Sequence, residues 1–202
     1  MQIKELPELL KDLLHGACQA GATEAAIIAT SAIVVDPDLA DRCRQPRCEN
    51  YGLSRSCPPH VAGPAVFKQE LEAYSQALFF KIDVPSEILY SSDSRELFHL
   101  LHEIAAGIEQ AAITRGLTQA KAFAGGSCKS IFCHEHLDCQ ALAGHGECRH
   151  RQAARPSMSG FGINVAELLR LVGWSAAGDE TLGRPDRSAD KTAFVCGLVL
   201  LY

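Results

Sequence analysis

Residues 76–116, "QALFFKIDVPSEILYSSDSRELFHLLHEIAAGIEQAAITRG", change character at a proline, and that change decides the fold. The run "QALFFKIDV" is apolar, short and closed by Pro85, which cannot donate a ladder hydrogen bond, so it reads as a strand. Beyond it, Ser92 and Asp93 suit a helix N-terminus. Apolar residues then recur at Leu97, Leu100, Leu101, Ile104, Ile108 and Ala111, and Gly116 stops the pattern. A helix over 92–115 must bury one face, and a sheet containing the preceding strand offers a surface for it.

The flanking segments extend this pattern. Residues 3–20 place Ile3, Leu6, Leu9, Leu10, Leu13 and Leu14 near helical period and end at Gly21. "EAAIIATSAIVV", 24–35, is β-branched and reads as a strand ending at Asp36-Pro37; "AVFKQELEAY", 65–74, reads as a short helix. Downstream, "TQAKAFAGG" (118–126) and "TAFVCGLVLLY" (192–202) read as strands, with a helix near 164–172 and a polar loop at 176–190 between them. The expected class is α+β or α/β. We expect one domain over 1–202, with a small mixed sheet, packed helices and a cysteine-rich metal-binding lobe built from two loops, 41–63 and 125–160. The composition, 47% hydrophobic and 21% charged, suits a globular core.

The formal net charge is −5, which gives no global field to draw in nucleic acid or an anionic membrane. No apolar run approaches the length of a membrane span, and the N-terminal segment mixes Lys and Glu among its leucines, unlike a signal peptide. A cytoplasmic address is expected, with neither nucleic acid nor membrane as partner. There a disulfide framework has little support, so the nine cysteines call for another explanation.

They fall into two groups. "DRCRQPRCENYGLSRSCPPHVAGP", 41–64, carries Cys43, Cys48 and Cys57; "GGSCKSIFCHEHLDCQALAGHGECRH", 125–150, carries Cys128, Cys133, Cys139 and Cys148. The first segment has no helical or alternating period, and a loop of that length needs an organiser other than a core. Thiolates are soft ligands that suit tetrahedral zinc or an iron–sulfur cluster. The second group lacks the paired short knuckles usual for structural zinc, and four thiols strung along one loop fit a [4Fe–4S] cluster better. Pro58 after Cys57 resembles the Cys-Pro of ferredoxin loops. Three thiols leave the first group one ligand short, and His60 in "CPPH" is the local candidate for the gap. Cys18 reads as a core residue of the first helix, and Cys196 as a buried residue of the last strand.

Asn50, Tyr51 and Gly52 read as the turn that lets Cys48 and Cys57 face one centre. His134, His136, His145 and His150 read mainly as solvated loop residues. Arg149, Arg151 and Arg155 read in two ways: as a site for an anionic substrate or a partner's carboxylates, or, slightly better, as a loop anchor (Arg155) and offsets to thiolate charge (Arg149 and Arg151). No P-loop, GxGxxG, GxSxG or HExxH motif is present.

As a set, these segments and the "RPSMSGFGINV" stretch at 155–165 resemble a prokaryotic family of predicted metal-binding proteins, from about residue 25 to the last strand. The resemblance implies metal ligation by Cys43, Cys48, Cys57, Cys128, Cys133, Cys139 and Cys148, and implies no activity. Three functions follow as expectations. The first is an iron–sulfur electron carrier, with two [4Fe–4S] clusters, serving a redox partner protein. The second is an iron–sulfur enzyme whose three-cysteine cluster keeps an open iron for a small-molecule ligand. The third is a zinc-stapled interaction module.

Overall fold

The computed structural model describes residues 6–174 and 192–202; the loop expected at 176–190 and the first residues of the N-terminal helix lie outside them. In chain order the elements are α1 (Leu6–Gln19), β1 (Glu24–Ala29), α2 (Pro37–Asp41), α3 (Gly63–Leu71), β2 (Gln76–Pro85), α4 (Ser94–Thr114), β3 (Lys121–Ala124), α5 (Cys128–Phe132), α6 (Val165–Leu171) and β4 (Thr192–Leu200). The strands form one sheet in the order β1-β2-β4-β3. All three ladders are antiparallel, so the sheet is not mixed and the class is α+β.

Strand β2 sits between two neighbours and is covered on both faces, which explains why "ALFFKI" lacks alternation: residues 77–82 are all buried. The charge within that run, Lys81, meets Glu24 and Asp83 at 2.9 Å each. On one face Leu78, Phe80, Ile82, Val195 and Val199 pack under Leu101, Ile104 and Ile108 of α4 and Leu9 and Leu13 of α1. On the other, Ala77, Phe79, Leu198 and Leu200 pack with Phe67, Phe123, Phe161 and Leu168. Phe67, Phe123 and Phe161 meet edge to face with centroids 5.0–5.2 Å apart. Phe67 follows the first cysteine loop and Phe161 the second, so this apolar triad fixes where both loops rejoin the sheet.

Three expectations change. The strand read over 24–35 stops at Ala29, and Thr30–Ala32 form a 3₁₀ turn. Beyond it Ile33 and Val35 leave the sheet edge to fill the second core face, Val35 pairing with Ile163 in an isolated bridge. Cys18, expected in the core, is exposed, because α1 buries Leu9, Leu13 and Ala17, a stripe that excludes the next position. The second cysteine segment is not loop throughout, since it holds α5. Cys196 is buried as expected.

Gly197 pairs with Phe80, whose ring lies across it; a Cβ there would sit 2.4 Å from Phe80 Cζ. Gly197→Ala is therefore predicted to lose about 1–3 kcal/mol through overpacking. Thermal unfolding should show it as a Tm lowered by roughly 2–4 °C per kcal/mol. An unchanged Tm would mean that the ring is free to move aside.

Candidate metal centre

Strand β3 delivers the chain into Gly125, whose N–H donates to the Cys196 carbonyl across the sheet edge at 3.1 Å. Ser127 then caps α5, its hydroxyl accepting from the Lys129 N–H, and this sets Cys128 at the first helical position. After α5 the chain runs through turns, with Lys129 Nζ donating to the carbonyls of Cys133 and His136. It returns at Pro156, whose carbonyl accepts from the Ala124 N–H at 3.1 Å.

Both ends of this loop are bound to one side chain. His102, fully buried on α4, accepts from the Arg155 N–H at Nδ1 (3.0 Å), which leaves Nε2 as the donor to the Gly125 carbonyl (3.1 Å). Burial pushes the His102 pKa down to about 4; the Gly125 bond opposes this, and the Arg155 and His99 charges add to it. Arg155 itself meets Glu109 of α4 at 2.6 Å, both side chains largely buried, and the other Glu109 oxygen accepts from the Ala122 N–H. Arg155 is thus the loop anchor expected of it.

The four thiols of the second group, Cys128, Cys133, Cys139 and Cys148, line a single small cavity with Ser54 and Arg149. Their electrostatics reflect that company. Burial raises the Cys128 pKa, as do Cys57 and Cys148, against the hydroxyls of Ser56 and Ser54. Burial also raises Cys133, with Cys148 and Cys139 adding to it and Arg149 and Lys129 opposing. Cys139 moves the other way: burial raises it, but backbone N–H groups of Arg55, Leu142 and Ala141 and the Arg149 charge outweigh that. Thiols that repel one another as thiolates need a cation to hold them ionised together. Among the described residues, no three His, Cys, Asp or Glu side chains gather closely enough to hold a single ion.

The first group is more open. Cys43 is half-buried, Cys48 exposed and Cys57 buried. Burial, then Cys48 and Cys57, raises the Cys43 pKa, so these three are neighbours. The turn expected at Asn50–Gly52 is present: the Tyr51 N–H donates to Cys48 O at 3.0 Å, and Gly52, at φ 79°, donates to Pro58 O at 2.9 Å. His60 Nε2 lies 3.2 Å from the Gly52 carbonyl and donates to it, which leaves Nδ1 as the ring's ligating nitrogen. Cys18 is exposed on α1. Cys196 lies in the sheet core near Lys81 and Asp83, its pKa pushed up to about 12 by burial.

The two segments meet. Cys57 Sγ donates to Ser127 Oγ at 3.2 Å, the Ser157 N–H donates to Ser56 O at 2.9 Å, and the Arg55 N–H serves the Cys139 sulfur. Gly162, at φ 70°, lets "SGFG" press so close to Asp36 that a Cβ would lie 2.4 Å from its carbonyl. None of the nine cysteines forms a disulfide.

Of the loop histidines, His134, His136 and His145 are exposed, whereas His150 stacks on Phe132 at 5.2 Å. Arg149 is the cation beside the thiols, and Arg151 pairs with Glu147 on the surface. Sequence reasoning passed over His102, Glu109, Ser54 and the hydroxyl of Ser127. His102 carried one available signal, a titratable group on the buried stripe of α4 one position after Leu101.

Four thiols around one cavity, with cations and N–H groups turned to their sulfurs, make this the candidate metal centre of an α+β fold. The chain belongs to the family described as predicted metal-binding protein (DUF2284), whose model matches residues 26–201. No curated protein and no solved structure matches it. Among the described residues no helix is long and apolar enough to cross a membrane.

His102 gives the site a pH signature. Its folded pKa lies below the ordinary value near 6.5, so between about 6.5 and 4 the unfolded chain binds a proton that the folded chain refuses. Stability from this group is complete above pH 6.5, falls as pH drops, and is lower by roughly 3 kcal/mol near pH 4. In denaturant titrations across that window His102→Gln, which keeps a donor for Gly125, should show a shallower acid limb than the parent. Identical limbs would contradict the assignment.

Proposed function

We propose that this is an iron–sulfur protein that passes electrons to or from a partner protein. In this reading Cys128, Cys133, Cys139 and Cys148 hold one [4Fe–4S] cluster, and Cys43, Cys48 and Cys57 hold a second. The observation that carries it is the single cavity lined by all four thiols of the second loop. Four thiolates along one loop, without the paired short knuckles usual for structural zinc, are a ligand set suited to a polynuclear cluster. The donor set fits: four soft ligands, the Arg149 and Lys129 charges to offset thiolates, and N–H groups of Arg55, Ala141 and Leu142 at the Cys139 sulfur. A bound cluster would supply one-electron transfer.

The chain's own residues do the rest. Hydrogen bonds and nearby cations favour the more negative, reduced state and so set the potential. Cys57 is buried between the groups, close enough to both Cys43 and Cys128 to perturb them, so the two centres adjoin. Exposed Cys48 brings the first centre to the surface, where a partner could dock. Nine unbridged cysteines suit a reducing compartment, and we place the protein in the cytoplasm on that ground.

One observation favours a second reading. The trio's own loop supplies three thiols, and Cys128, the neighbour of Cys57, lines the cavity of the second group. Such a centre would leave an iron open to a small-molecule ligand and could act as a Lewis acid.

Anaerobic purification with iron, acid-labile sulfide and zinc assays tests the proposal. The expected protein is brown with about eight irons per chain. Cys133→Ala and Cys48→Ala should each remove about half of the iron and a different EPR signal. A colourless protein with stoichiometric zinc and no sulfide would sink both redox readings. An EPR signal that shifts with added cyanide in the parent and vanishes in Cys48→Ala would select the open-site reading.

A further inference from the structure

Ser54 belongs to the first cysteine loop, yet it borders the cavity of the second, beside Cys128, Cys133, Cys139 and Cys148. It is 1% exposed, and its hydroxyl makes no hydrogen bond of ordinary geometry although it lies near the Cys128 sulfur. A buried hydroxyl without a partner is unfavourable, and native structures rarely keep one unless a ligand or water completes it. Ser127 presents the converse case. It belongs to the second loop, is 7% exposed, and its Oγ lies 3.2 Å from the Cys57 sulfur of the first.

The chemistry fixes the direction of both contacts. A metal-bound Cys57 is a thiolate with no proton to give, so the Ser127 hydroxyl must turn and become the donor. Thiolates and bridging sulfides are acceptors as well, so Ser54 can serve its cavity only as a donor. Hydrogen bonds to cluster sulfurs are stronger when the cluster carries more negative charge, and they raise its reduction potential.

We propose that the two loops exchange hydroxyls: Ser54 donates to sulfur of the cluster at Cys128, Cys133, Cys139 and Cys148, and Ser127 donates to the Cys57 thiolate of the other cluster. This rests on the iron–sulfur reading. Each serine is a positioning residue for the cluster that its own loop does not ligate. The two potentials are then properties of the seam between loops, and a change that opens the seam lowers both.

The test is an EPR-monitored redox titration of the anaerobically purified full chain, with clusters assigned through Cys133→Ala and Cys48→Ala. Ser54→Ala should lower the potential of the four-cysteine cluster by about tenfold in the reduction equilibrium, 59 mV for one electron. The three-cysteine cluster should stay in place. Ser127→Ala should do the reverse, and Ser127→Thr, which keeps both the hydroxyl and the helix cap, should restore the parent value. If Ser54→Ala fails to retain iron, Ser54→Thr decides: a parent-like potential supports the exchange, and a lowered one overturns it. Alanine variants that retain iron at parent potentials, or that shift the cluster of their own loop, overturn the exchange while the iron–sulfur reading stands. A parent protein without iron and sulfide overturns both.

Discussion

A neutral imidazole holds the cysteine-rich half of this protein in place. His102 spends both ring nitrogens on the backbone, one at Gly125 and one at Arg155, so a single rigid ring fixes the two ends of the loop that carries four of the cysteines. Closing a loop of about thirty residues has an entropic penalty that grows only slowly with length, and two buried hydrogen bonds plus the Arg155–Glu109 pair can offset it. The ring can do this only while uncharged. Its setting among α4, the sheet edge and Phe132 keeps it so.

From that anchored base the cysteine segments lean on each other rather than on a core of their own. Residues 54–57 of the first supply a wall, an N–H group and hydroxyls to the second, and Ser127 of the second answers at Cys57. The Phe67–Phe123–Phe161 contacts and the tight passage at Gly162 bring both loops back to one face of the sheet. The apolar sheet therefore acts as a template, and the polar, thiol-rich chain above it is ordered by hydrogen bonds whose remaining acceptors are sulfur. Metal affinity in such a site would be linked to folding, because burial and mutual repulsion push the Cys43, Cys128 and Cys133 thiols toward their protonated form.

Much of the frame was legible in the residues. The switch from "ALFFKI" to the apolar stripe of α4, the β-branched run of β4, and the grouping of seven cysteines come from local pattern, which periodicity and spacing record directly. Strand order was not legible, since four short strands with long connections allow both parallel and antiparallel pairings. The early end of β1 was hidden because Ile33 and Val35 look like strand residues but fill a core. Cys18 was misplaced because a small apolar side chain next to a buried stripe has the same composition as one within it. His102, Ser54 and the Ser127 hydroxyl escaped for a different reason: their roles depend on partners 23 to 74 residues away, at Gly125, Arg155, Cys57 and Cys128, and no local pattern encodes such a meeting.

The central claim is that these thiols surround a polynuclear cluster. X-ray absorption on the anaerobically isolated protein tests it most directly, because it reports the neighbours of the metal whatever the protein's partner or substrate. The expected result is an iron edge with sulfur neighbours and, beyond them, a shell of iron–iron scattering. A zinc edge with sulfur neighbours near 2.3 Å and no metal–metal shell would contradict it.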